Sequence, residues 1–226
     1  MEEVHEGEPV DPGAVQTLVH KILDAGVDGV GPLKGARQLA DEHLAAHADP
    51  EKAIDRLIAT HTRIVGAAGF AAGVGGLPTL AFTIPADLTV FYALSARCVA
   101  GIAHLRGYDI NSDEVRSVVL LTLIGSAGAV AAAEVGIQIG NKASMAALRK
   151  LPGSALIAIN KKVGFRLLTK FGERGAVNLV KIVPVVGGGV GATVNATALR
   201  SISRYAKKNF PLMEPLDALP GPEGPV

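Results

Sequence analysis

The chain has 226 residues, of which 49% are hydrophobic and 27 are glycine, while aromatic residues are only 4% and Trp is absent. This composition excludes a disordered chain, a collagen-like chain and a disulfide-stapled mini-domain, and the single Cys98 excludes an internal disulfide and a cysteine-cluster metal site. The net charge of +1 conceals a strong asymmetry: residues 1–60 hold 5 basic and 12 acidic residues (net −7), and residues 142–210 hold 13 basic and 1 acidic (net +12), which suits an anionic partner or mutual neutralisation of the two halves.

The start, Met1-Glu2-Glu3-Val4-His5-Glu6, has neither the basic residues nor the apolar run of a secretory signal, so a cytoplasmic protein is expected. Asp11-Pro12 reads as an N-cap followed by Pro at the first helical position, opening a helix to about Ala25. A second helix is expected from Pro32 to His47. Asp49-Pro50-Glu51 repeats the start signal. In the helix that follows, Ile54, Leu57, Ile58, His61, Ile64 and Val65 share one face, and Glu51, Lys52, Asp55, Arg56, Thr60 and Arg63 take the other.

The run Gly66–Pro78 fits either a small-residue helix or a glycine loop, and it lacks the phosphate-loop pattern. Pro85-Ala86-Asp87 opens a mostly apolar helix to about Arg106, which Gly107 ends. Ser112-Asp113-Glu114 starts a helix through the uncharged stretch Ser117–Ala133, and a shorter one reaches about Lys150. Leu151-Pro152-Gly153 breaks the chain. A helix from Ala155 to Phe171 follows, with Gly172 and Gly175 bracketing a turn, and a last helix spans Gly191 to Asn209. The proline-rich segment 211–226 reads as extended or disordered. No stretch alternates with period two, so the fold class is all-α: a compact multi-helix bundle with glycine-rich, apolar central helices. The expected division is an acidic helical extension (1–48), a helical domain (49–210) and a tail (211–226).

Three stretches are free of charge: Ile64–Ala86, Ser117–Ala133 and Ile182–Leu199. Their glycines and prolines, and the lack of interfacial Trp, argue against simple membrane spans. Buried helices, or helices that enter a bilayer surface, are expected instead.

Several strings together resemble the EcsC family. They are Ala53–Ile58 with His61-Thr62-Arg63, Gly69-Phe70 with Gly73–Leu77, Pro85–Leu88 with Arg106–Asp109, Ile137–Lys142 with Ile159–Gly172, and Lys181–Gly187 with Gly191 and Asn195. The resemblance covers about Pro50 to Phe210. It implies a bacterial protein, since the family is named from a gene lying beside those of a bacterial ABC transporter. It supplies no catalytic motif, no cofactor and no reaction.

Polar residues in apolar settings are the candidate ligand contacts: His61, Asp87, Tyr92, Arg97, Arg166 and Asn195. His61 reads first as a core histidine with one satisfied hydrogen bond, and second as a ligand or acid-base group. Asp87 reads as a helix-start charge or a buried anion. Arg97 lies in an apolar helix with no acid within a turn, and an unpaired buried guanidinium is costly. It must find a carboxylate, backbone carbonyls or an anionic headgroup, and Arg97 or Arg166 is expected to hold a lipid carboxylate or phosphate. His43 and His47 have a metal-compatible spacing but lie at a polar helix end, and no metal site is expected. Cys98 reads as a buried structural thiol.

Lys162, Lys170, Lys181, Arg200, Arg204, Lys207 and Lys208 form a candidate membrane or anion surface. Too few aromatics are interleaved for nucleic acid. The expected function is binding of a lipid or other amphiphile between apolar helices. The alternative is a peripheral adaptor at the inner face of a membrane, serving an ABC transporter. A hydrolase using His61 and Asp87 is the least supported reading, and no cofactor is expected.

Overall fold

The computed structural model describes residues 12–74, 80–134, 153–179 and 184–213. Among these the chain is all-α. The elements are α1 (Pro12–Leu23), a π-helical turn (Asp24–Asp28), β1 (Gly29–Val30), β2 (Leu33–Lys34), α2 (Ala36–His47), α3 (Pro50–Val74), α4 (Leu80–Leu105), α5 (Asp113–Leu123), α6 (Ser126–Ala133), α7 (Gly153–Leu179) and α8 (Pro184–Asn209).

Local chemistry sets several ends. The Asp49 carboxylate accepts from the backbone N–H of Glu51 (2.9 Å) and Lys52 (3.3 Å), capping α3. The Ser112 hydroxyl accepts from the Val115 N–H (3.4 Å) and caps α5. After α4, Gly107 takes φ 88°, its N–H reaches the His104 carbonyl (2.9 Å), and the Tyr108 N–H reaches the Ala103 carbonyl (3.0 Å). This pair of bonds closes the last turn, and the left-handed residue between them favours glycine.

Five expected boundaries are corrected. Pro32 does not open a helix. Gly29 pairs with Lys34 and Val30 with Leu33, so Gly31-Pro32 is the two-residue turn of a hairpin, with Gly31 at φ 58°. The helix α4 begins at Leu80, which puts Pro85 in its second turn and removes Asp87 from the first. The stretch Ser117–Ala133 is split between α5 and α6 by Gly125 at φ 61°. The helix α7 runs on through Gly172 and Gly175, because helical neighbours on both sides carry these flexible residues. The helix α8 starts at Pro184, seven residues before Gly191, with Pro at its first position. The helix expected near Lys150 and the tail beyond residue 213 lie outside the described residues.

The central helix is α4. Against it pack α1, the π-helical turn, α2, α3, α5, α7 and α8. Its segment Ala96–Ala103 is buried throughout, and apart from Arg97 its sequence there is apolar or small around the whole circumference. The glycine-rich half of α3 is helical and packs antiparallel to α8. Lys207 pairs with Asp55 at one end (2.7 Å), the Asn195 amide donates to the Val65 carbonyl further along (3.3 Å), and Gly69 meets Gly191 beyond it. Small residues let these backbones approach. Among the described residues no helix is long and apolar enough to cross a membrane.

The end of α8 is fastened to the rest. Phe210 is fully buried with its ring edge-on to Tyr108 (5.2 Å, 69°), and the Tyr108 hydroxyl donates to the Pro211 carbonyl (2.8 Å). The Met213 N–H donates to the Arg106 carbonyl (3.2 Å).

Candidate functional site

Of the interior candidates, the structure brings His61 and Arg97 together. The Leu57 side chain rests against Gly101 where α3 and α4 run antiparallel, and four residues on from one and back from the other sets His61 across from Arg97. His61 is 1% exposed. Its Nδ1–H donates to the Leu57 carbonyl one turn back (2.9 Å), and its Nε2 has no hydrogen-bond partner among the described residues. Burial pushes the imidazole down to about 4, and the Arg97 and His43 charges add to this against the Leu57 carbonyl. His61 is thus a neutral imidazole with a bare acceptor nitrogen.

Arg97 is 7% exposed. One Nη donates to the Lys34 carbonyl at the end of the hairpin (3.2 Å), and its Nε is buried without a partner. No carboxylate lies within ion-pair distance of it among the described residues. Burial lowers its affinity for a proton. Of the partners the sequence allowed, Arg97 has taken a backbone carbonyl.

Arg166, Asn195 and Tyr92 make contacts within the fold. Arg166 donates to the Ala127 carbonyl (3.1 Å) and lies 3.8 Å from the Glu134 carboxylate. These partners come from α6 and from Glu134 just after it. Asn195 ties α8 to α3. Tyr92 is buried edge-on to Phe91 (5.5 Å), and burial raises its phenol. The side chain of Asp87 lies outside the described residues. Its backbone lies ten residues before Arg97 on α4, about 15 Å along the helix axis. Cys98 is buried against the Ser203 hydroxyl (3.8 Å), and burial pushes its thiol up to about 12.

The basic candidates divide. Lys162 pairs with Glu134, and Lys207 pairs with Asp55 (2.7 Å) and Glu51 (3.4 Å), so these neutralise acids of other helices. Arg200, Arg204 and Lys208 follow at i, i+4 and i+8 on the exposed stripe of α8, with no ion pair among the described residues. Arg56 and Arg63 are likewise exposed on α3. The side chain of Lys170, and Lys181 altogether, lie outside the described residues. Two apolar side chains stand exposed beside the Gly69–Gly191 crossing: Phe70 (53%) and Val194 (59%).

The described surface has a cleft of about 660 Å³ that no sequence pattern announced. Val27 and Ile110 line it with Asp28, Arg37, Asp41 and Glu42. Each of its acids has a local partner: Asp28 pairs with Arg116 (2.6 Å), Asp41 meets the His104 ring (2.7 Å) and Glu42 pairs with Lys34 (2.6 Å). The His43 and His47 rings stack at 6.4 Å, and burial followed by the His47 charge lowers His43.

A sequence profile of the EcsC protein family matches residues 14–212, and the chain belongs to that family. The match takes in α1 and α2, upstream of the strings that first carried the resemblance. No curated protein and no solved structure matches the chain.

Proposed function

For this member of the EcsC family we propose peripheral attachment to an anionic membrane surface through the exposed side of the α3–α8 pair. The observation that carries it is the stripe Arg200, Arg204, Lys208 on α8, exposed and without a carboxylate partner among the described residues, on the same helix as the exposed Val194. Across the crossing stands Phe70, seven residues beyond the exposed Arg63. Exposed basic residues near apolar side chains are what an anionic leaflet attracts, at about 1 kcal/mol per cation close to the surface. Four such cations give reversible, salt-sensitive attachment rather than permanent anchoring.

The interior reading, a lipid held between apolar helices, has less support. Arg166 and Asn195, two of its polar contacts, each donate to a backbone carbonyl, of Ala127 and Val65. The anionic inner leaflet is the surface this charge fits, and a transporter in that leaflet is the partner the family's name suggests.

The test is co-sedimentation with vesicles. The full chain binds phosphatidylserine-containing vesicles, not pure phosphatidylcholine ones, and high salt releases it. The triple variant Arg200→Gln, Arg204→Gln, Lys208→Gln, in exposed positions that leave the core alone, loses most of the binding. Undiminished binding by that variant, or equal binding to neutral vesicles, overturns the reading.

A further inference from the structure

We infer that Arg97 and His61 form a phosphate-binding site between α3 and α4, covered by the hairpin Gly29–Lys34. Three observations converge on it. A buried guanidinium has no carboxylate among the described residues, and its Nε–H is bare. The buried imidazole across from it has a bare Nε2. Buried polar atoms are almost always partnered, and two such orphans on packed helices, with the Arg97 charge acting on His61, mark a place for a guest.

The chemistry of the two orphans names the guest. Arg97 Nε donates and asks for a negative oxygen. His61 Nε2, with its other nitrogen already donating to Leu57, accepts and asks for an O–H. A phosphate monoester carrying one proton presents both on one phosphorus. A carboxylate or a phosphodiester presents the charge without the hydroxyl.

The hairpin suits a cover that lifts. Its apolar residues Val30 and Leu33 face solvent, so no burial of side chains holds it down. Its tethers are the Lys34 carbonyl on Arg97 and the half-exposed pair Lys34–Glu42, and pairs of that kind contribute little. Gly29 and Gly31, both at positive φ, stand at the start and at the turn of the hairpin. The π-helical turn before it stays seated, because Gly26 fits directly against the backbone of Ala93 and Arg97.

The site is independent of the basic stripe on α8, so the two are tested separately. The Arg97 Nε–H and the amides of Leu33 and Lys34 are followed by NMR at about pH 6, near the second ionisation of a phosphate monoester. One arm adds inorganic phosphate, and the other adds short-chain phosphatidic acid below its micelle concentration. Saturable shifts at Arg97 Nε–H and the hairpin in both arms support the site and assign the phosphate group itself. Shifts with phosphatidic acid alone support it and assign a lipid headgroup. Acetate and dimethyl phosphate, which lack the O–H, are expected to bind about tenfold more weakly. Arg97→Gln abolishes the shifts while vesicle binding persists. Should that variant not fold, the unaltered chain with the acetate and dimethyl phosphate controls decides. No shift at Arg97, or shifts confined to Arg200, Arg204 and Lys208, overturns the inference.

Discussion

Gly69 and Gly191 meet backbone to backbone where α3 crosses α8. A Cβ placed on Gly69 would lie 2.6 Å from both the Gly191 carbonyl oxygen and the Asn195 amide nitrogen, and one on Gly191 would run into the Gly69 carbonyl. The Asn195 amide is a side-chain end, but the Gly191 and Gly69 carbonyls are backbone, so the helices themselves must separate. The same contact brings Asn195 within reach of Val65 and sets how Phe70 and Val194 are presented beside it.

Gly191→Ala is therefore expected to destabilise the fold by about 1–3 kcal/mol, the usual range for overpacking, despite the better helix propensity of Ala. Gly189, on the same helix, has open space where its Cβ would stand. Gly189→Ala is expected to stabilise by about 0.5–1 kcal/mol. Urea unfolding of the two variants reads the difference directly. Equal effects of the same sign would show that the crossing is not close-packed.

Much of the helical frame was legible because its signals are local. Asp49, Ser112 and Gly107 each announce an end with groups a few residues away, and each does so in the structure. The hairpin was not legible. Pro32 looks the same after a helix N-cap as in a two-residue turn, and what decides is the docking of Gly26 on α4, some 70 residues distant. The site followed the same division. That Arg97 must find a partner was legible from an apolar helix. That the partner is the Lys34 carbonyl, 63 residues earlier, was not. Nor could one sequence show that Asn195 would be spent on Val65, 130 residues earlier.

Burial of neutral His61 gives stability a specific pH dependence. The unfolded imidazole takes a proton near 6.5 and the folded one at about 4. Between those values the unfolded chain binds more protons, so stability falls as pH falls from about 6.5 to about 4 and levels off below. The full effect of the 6.5-to-4 shift is about 3 kcal/mol. The charges that oppose protonation come from Arg97 on α4 and His43 on α2. His61→Gln removes this dependence whatever its effect at neutral pH. The stability difference between the two proteins, measured at about pH 7 and about pH 4.5, should therefore shift in favour of the variant by more than 1 kcal/mol. Parallel pH curves would mean that His61 is solvated or already protonated in the folded chain.

Arg106 holds three parts of the fold with one guanidinium. Its Nε and one Nη donate to the same Glu51 oxygen on α3 (3.0 and 2.6 Å), and the other Nη donates to the Lys207 and Phe210 carbonyls at the end of α8 (both 2.8 Å). The side chain is 11% exposed, so these carbonyls have little access to water once it is gone. Arg106→Ala is expected to cost about 2–4 kcal/mol, from lost charged hydrogen bonds and the groups left unpaired. Arg106→Lys keeps the charge but lacks the planar fork that reaches both sides at once, and is expected to lose more than half as much. Glu51→Gln should cost about 1 kcal/mol or less, because that carboxylate is half exposed. This ordering separates geometry from charge. A lysine variant as stable as the parent in urea would show that position 106 needs only a cation, and that the carbonyls of Lys207 and Phe210 are held by other means.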